Sequence, residues 1–148
     1  MAKLFLKHKQ KSVIEEVLTE KKPRLDDCIG NFKISFQYFV THQKFGSTFL
    51  DWQKREILAH AMEVLQGYCH RPLFEQVDGK KFTIYGDFPA TDKTKFTYPV
   101  NVPEDANWAR IHASGLTVIA GHIIQDTFYV VFLDPGHKFF LTSRITGN

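Results

Sequence analysis

Residues 108–140, WARIHASGLTVIAGHIIQDTFYVVFLDPGHKFF, decide the fold. Three apolar-rich runs, Trp108–Ala113, Thr117–Ile124 and Thr127–Leu133, are separated by turns at Ser114-Gly115 and Gln125-Asp126. Connections that short join antiparallel neighbours, so the stretch is predicted to be a β-meander. Asp134-Pro135-Gly136 then turns the chain, and His137–Leu141 runs on. Strand side chains alternate, which puts Trp108, Arg110 and His112 on one face and Ala109, Ile111 and Ala113 on the other. The second, apolar set should meet a helix. Val118, Ala120, His122 and Ile124 share a face, where His122 reads as a hydrogen-bonded core histidine. In the third run Phe128, Val130 and Phe132 alternate with Tyr129, Val131 and Leu133. Both faces are apolar, as in a strand covered on two sides.

Working outward, Lys80–Phe88 reads as a further strand introduced by the Asp78-Gly79 turn. The polar, Pro-bearing stretch from Pro89 to Asn107 lacks periodicity, and loops that long are uncommon unless functional or flexible. Upstream, Ser47–Gly67 repeats Trp52, Ile57, Leu58, Ala61, Met62 and Leu65 at helical spacing and is predicted as one helix. Ser47 or Asp51 supplies its N-cap, and Arg71-Pro72 forbids its continuation. Phe32–Val40 alternates at period two and is predicted to be a strand. A shorter helix is expected after Ser12, with Glu15 completing a capping box and Pro23 ending it. The predicted organisation is a helical extension over residues 1–30 and an α+β domain over 31–148. The domain is an antiparallel meander packed against one or two helices.

Bulk composition sets outer limits. The chain has 148 residues, enough for one domain without disulfides, and 43% of them are hydrophobic. A net charge of +3 permits nucleic-acid contact without demanding it. Cys28 and Cys69 fit no CxxC pattern and read as free thiols. Neither the apolar part of MAKLFLKHKQ nor any other run is long enough for a signal peptide or a membrane span, so a cytoplasmic location is expected. His60, His70 and Cys69 lack the spacing and carboxylate support of a metal site, and no cofactor is expected.

The residues with chemistry to offer are Arg110, His112, His137 and Lys138, which the meander brings toward one exposed patch. Such a set suits phosphodiester cleavage by RNA's own 2′-OH. That reaction needs a base for the hydroxyl proton, a cation for the phosphorane and an acid for the leaving oxygen. Arginine's fork fits phosphate oxygens, and histidine serves as acid or base without a metal. Lys54 and Arg55, on the polar side of the long helix, are candidate RNA contacts. The competing readings are ordinary ones: a surface ion pair for Arg110, a solvated turn for His137 and Lys138, a wet helix face for Lys54 and Arg55.

The quoted stretch resembles the C-terminal region of RelE-type toxins: an Arg-bearing strand, a tight turn, two further strands and a terminal Gly-His-Arg-like segment before an aromatic. Arg110, the hairpin to Leu133 and Gly136-His137-Lys138 with Phe139 and Phe140 are the matching positions. Lys138 stands where the family usually has Arg, and Phe140 where it often has Tyr. The resemblance implies a RelE-like fold with an extra N-terminal helix. It also implies a metal-independent endoribonuclease of a toxin–antitoxin system, cutting mRNA, often in the ribosomal A site, and held by an antitoxin protein. Under it Arg110 stabilises the transition state, His137 is the first candidate for acid or base and His112 the second, and Lys138 and Lys54 hold phosphate. The alternatives are a non-catalytic protein-binding module on the same sheet and a relative acting on another target.

Overall fold

The structure, a computed structural model, describes residues 30–141. Five strands, β1 (Lys33–Ser35), β2 (Phe82–Gly86), β3 (Asn107–Ser114), β4 (Thr117–Ile124) and β5 (Thr127–Asp134), form one sheet in the order β1-β5-β4-β3-β2. β3, β4 and β5 are the predicted antiparallel meander. β2 adds antiparallel to β3, and β1 adds parallel to β5, so the sheet is mixed. The tight turns are those expected, shifted by one residue at the first. Gly115 and Gln125 adopt φ of 49° and 55°, the left-handed values that bend a two-residue connection with the twist of its strands. The expected strand Phe32–Val40 is shorter than its alternation suggests, because only Lys33–Ser35 find a partner. The helix expected after Ser12 lies outside the described residues.

Two helices, α1 (Phe49–Lys54) and α2 (Leu58–Tyr68), replace the single predicted one. The break is a Schellman closure: Glu56 N–H donates to the Gln53 carbonyl and Ile57 N–H to the Trp52 carbonyl, both at 3.0 Å. Glu56 takes the left-handed position, φ 59°, usually given to glycine. Trp52 and Ile57, on either side of the closure, pack into the same core, which holds the bend. Thr48, not Ser47 or Asp51, is the N-cap. Its hydroxyl accepts from Asp51 N–H, and the Asp51 carboxylate accepts from Thr48 N–H.

The helices cover one face of the sheet. Trp52, Ala61 and Leu65 meet Ala109, Ile111, Ala113, Ile119 and Phe128, as the alternation on β3 predicts. The other face is covered by the 89–106 segment, which is a packed lid and not a free loop. Phe96 and Val102 from it join Trp108, Ala120, Val131, Phe132 and Phe139 in a second core. Residues 138–141 lock this cover in place, since Lys95 N–H donates to the Lys138 carbonyl and Leu141 N–H to that of Lys93.

Two bulges interrupt the ladders, and the one on β5 corrects its predicted faces. Ala120 pairs with Phe132 but Gly121 pairs with Val130, so Val131 is an extra residue. Phe128 and Val130 therefore face the helices while Val131 and Phe132 both face the lid. Gly121 permits this: a Cβ there would lie 2.0 Å from the Tyr129 carbonyl oxygen. On β2, Ile84 pairs with Ala109 and Gly86 with Trp108, which leaves Tyr85 as the extra residue, on the lid face by plain alternation from Ile84.

Candidate functional site

The lid face carries one polar island, at the end of the sheet near the β3–β4 turn. Arg110 and His112 lie two residues apart on β3, and the turn after β5 delivers His137 to them. Arg110 Nη1 donates to His112 Nε2 and lies 3.4 Å from His137 Nε2. The two imidazoles are 5.1 Å apart between ring centroids. One guanidinium nitrogen thus serves two histidine lone pairs. The acceptor role of Nε2 assigns the His112 hydrogen to Nδ1, which donates to the Gly115 carbonyl at 3.3 Å. Burial, then the neighbouring Arg110 and His137 charges, push the His112 pKa down, favouring this neutral form. Arg110 and His112 are half-buried and His137 is buried, so three of the four residues expected to converge meet, in a recessed patch and not an exposed one.

His137 reaches the cluster because Asp134 shapes its turn. The Asp134 carboxylate, fully buried, accepts from Lys138 N–H at 3.0 Å and from Phe139 N–H at 2.8 Å. Burial pushes its pKa up against the pull of these backbone donors. The turn sets His137 at φ 60°, a conformation that costs a non-glycine residue roughly 1–2 kcal/mol. The surrounding hydrogen bonds hold that strain in place, a pattern found at functional sites. Three buried polar atoms beside or within the island have no partner: Arg110 Nε, His137 Nδ1 and Thr83 Oγ1. Thr83 pairs with Arg110 across the strands.

Tyr85 closes the island from β2. The Arg110 guanidinium carbon lies 5.7 Å from its ring centre, and Phe140 stacks on the same ring at 4.5 Å. Burial raises its hydroxyl to about 12, so it stays protonated. Sequence reading missed Tyr85 because it assigned no faces to the Lys80–Phe88 strand, although plain alternation sets Tyr85 on the side of Thr83, opposite Phe82 and Ile84. It missed Asp134 because a carboxylate in Asp-Pro-Gly reads as turn chemistry.

Other expectations divide. Lys138 follows His137, but its backbone caps Asp134 and its stem lies along Gly136; no hydrogen bond joins it to the cluster among the described residues. Lys54 and Arg55 are exposed on the helix layer, across the sheet from Arg110, and are not brought to the site. His122 is fully buried, as expected, yet neither ring nitrogen has the expected hydrogen bond. It stacks on Tyr129 at 5.1 Å and 15°, with Trp108 and Tyr38 alongside. Burial pushes its pKa down to about 4. Cys69 is a half-buried free thiol. No helix among the described residues is long and apolar enough to cross a membrane.

Comparison with protein-family models, with curated proteins and with solved structures finds no match.

Proposed function

We propose that the protein is a metal-independent endoribonuclease toxin of the RelE type, acting on mRNA and held by an antitoxin. The observation that carries this reading is the shared guanidinium: Arg110 Nη1 facing Nε2 of both His112 and His137. In the resting site the two imidazole lone pairs are occupied by Arg110. A phosphate anion competes for the same guanidinium, which binds it as a fork. Drawing Arg110 onto phosphate releases both Nε2 atoms at the moment substrate arrives.

His112, held neutral, then accepts the 2′-OH proton as the oxygen attacks the adjacent phosphorus. Arg110 stabilises the phosphorane charge, and His137, after taking a proton from solvent at the Nε2 that Arg110 has released, donates it to the departing 5′-oxygen. The products are a 2′,3′-cyclic phosphate and a 5′-hydroxyl. Tyr85 positions Arg110 from beneath, and Asp134 positions His137 through its turn. Lys138, next to His137 in the chain, offers an amine to a flanking phosphate, whereas Lys54 and Arg55 serve only RNA that wraps to the helix layer.

Induced expression tests the assignment. Wild-type protein arrests growth, and Arg110→Ala and His137→Ala each relieve the arrest while circular dichroism shows them folded. Full toxicity of both folded variants sinks the assignment. A second reading, a non-catalytic protein-binding module, draws on a different feature. Phe36, Phe49 and Leu50 are exposed together, with Phe39 stacked on Phe49 at 4.8 Å. Apolar clusters of this kind mark partner surfaces. A wild-type protein that is stable and harmless when expressed alone favours that reading.

A further inference from the structure

A cleft of about 640 Å³ opens beside the island, lined by His60, Val64 and Tyr68 of α2, Lys80 and Lys81 before β2, and His112 with the β3–β4 turn. His112 belongs to both the cleft and the Arg110 cluster, so it links the two at the end of the sheet. The charge of the lining is one-sided: Lys80 and Lys81 are cationic, with no carboxylate among the lining residues. The nearby Asp78 is already committed, its Oδ1 accepting from Lys80 N–H and Phe82 N–H at 2.9 Å each.

Those bonds also make the lysine pair a built feature. The Asp78-Gly79 turn, with Gly79 at φ 75°, fixes where Lys80 and Lys81 leave the backbone. The Lys81 carbonyl accepts from His112 N–H at 2.8 Å, continuing the β2–β3 register in which Phe82 faces Ile111. Lys81 and His112 are therefore cross-strand neighbours at the end of the sheet, and both line the cleft. His60, whose Nε2 donates to the Ala113 carbonyl at 3.1 Å, closes the far wall. Val64 and the half-buried edge of Tyr68 form an apolar floor. Cationic walls over an apolar floor, in a volume within the range of small-ligand sites, match one nucleotide of a single strand.

We propose that this cleft is a nucleotide subsite for single-stranded RNA, taking the residue adjoining the scissile bond. Its phosphate lies on Lys80 and Lys81, and its sugar and base lie against Val64 and Tyr68. The inference rests on the ribonuclease reading and adds to it the direction in which the strand leaves His112: across the β3–β4 turn toward α2. Val64 and Tyr68 offer an apolar surface to a base that is not paired, so the substrate class is unpaired RNA.

The test separates the two readings. Binding of a short, fully 2′-O-methylated single-stranded RNA, which cannot cleave itself, is measured against salt for wild type and for the double variant Lys80→Ala, Lys81→Ala. Both side chains are exposed, so the fold is spared. The double variant is expected to bind roughly tenfold more weakly. Its log–log salt slope should fall by about 1.4, at about 0.7 for each lost contact to a single strand. A matched duplex of the same sequence should bind wild type more weakly than the single strand. Unchanged affinity and slope in the double variant, with wild type still cleaving RNA, overturn the subsite and leave the ribonuclease reading standing. Absence of both binding and cleavage in wild type overturns the two together.

Discussion

His122→Phe is expected to stabilise the protein, and increasingly so in acid. The native ring is fully buried with both nitrogens unpartnered. Phenylalanine keeps the stack on Tyr129 and removes two orphaned polar atoms, each of which costs about 1–3 kcal/mol when left unmade. Part of that gain is offset by the slightly larger ring, so about 1 kcal/mol is expected at neutral pH. The acid effect follows from linkage. The folded pKa is about 4 against an ordinary histidine value of about 6.5, so below that value the unfolded chain binds the extra proton. Wild-type stability is whole above pH 6.5 and is lost as pH falls toward 4, by about 1.4 kcal/mol at pH 5.5 and about 3 kcal/mol at pH 4. Carboxylates titrate in the same range, but they are common to both proteins and cancel in the difference. Urea unfolding of both proteins at several pH values measures it, with the gap widening from about 1 to about 4 kcal/mol. A constant gap, or a variant less stable at neutral pH, refutes the picture of a neutral histidine sealed among aromatics.

Gly121→Ala should cost about 3 kcal/mol or more, because the new methyl meets a backbone carbonyl that cannot move without breaking the β4–β5 ladder; a thermal melt near wild type would show the bulge to be misplaced. Asp134→Asn should lose about 2 kcal/mol, since an amide cannot accept both backbone donors, and should lower RNA cleavage by releasing His137; unchanged urea midpoint and cleavage rate would remove Asp134 from the site. Thr48→Ala should cost about 1 kcal/mol and leave RNA cleavage unchanged, by chemical denaturation and gel assay respectively. The acid limb of kcat/KM should fall below pH of about 6.5, because His112 is held neutral by burial and by Arg110; a limb above that value would exclude His112 as base.

Much of the architecture is legible in the chain because it rests on local rules. Alternation from Trp108 to Ala113 gives the two faces of β3, and with them the adjacency of Arg110 and His112. The turns at Gly115 and Gln125 follow from the lengths between apolar runs. What escapes is tertiary. Nothing in VVFL marks Val131 as the extra residue; the bulge is visible only through the carbonyl that Gly121 admits. The helix break at Glu56 is hidden because a glutamate holds the position where glycine would announce it. The role of residues 89–106 as cover depends on Phe96 and Val102 finding a sheet face that periodicity cannot reveal. Lys81 sits beside His112 by register alone, and Lys54 is parted from the site by the sheet itself.

We propose that Arg110, set between His112 and His137, makes this protein a ribonuclease. Incubating purified protein with unpaired RNA in excess chelator and determining the chemistry of the new ends tests it most directly. The account predicts 2′,3′-cyclic phosphate and 5′-hydroxyl ends. It also predicts that Arg110→Lys lowers the rate by about a hundredfold or more, since an ammonium cannot replace the fork. Intact RNA with the wild-type protein, 3′-hydroxyl ends, or full activity of Arg110→Lys would contradict it.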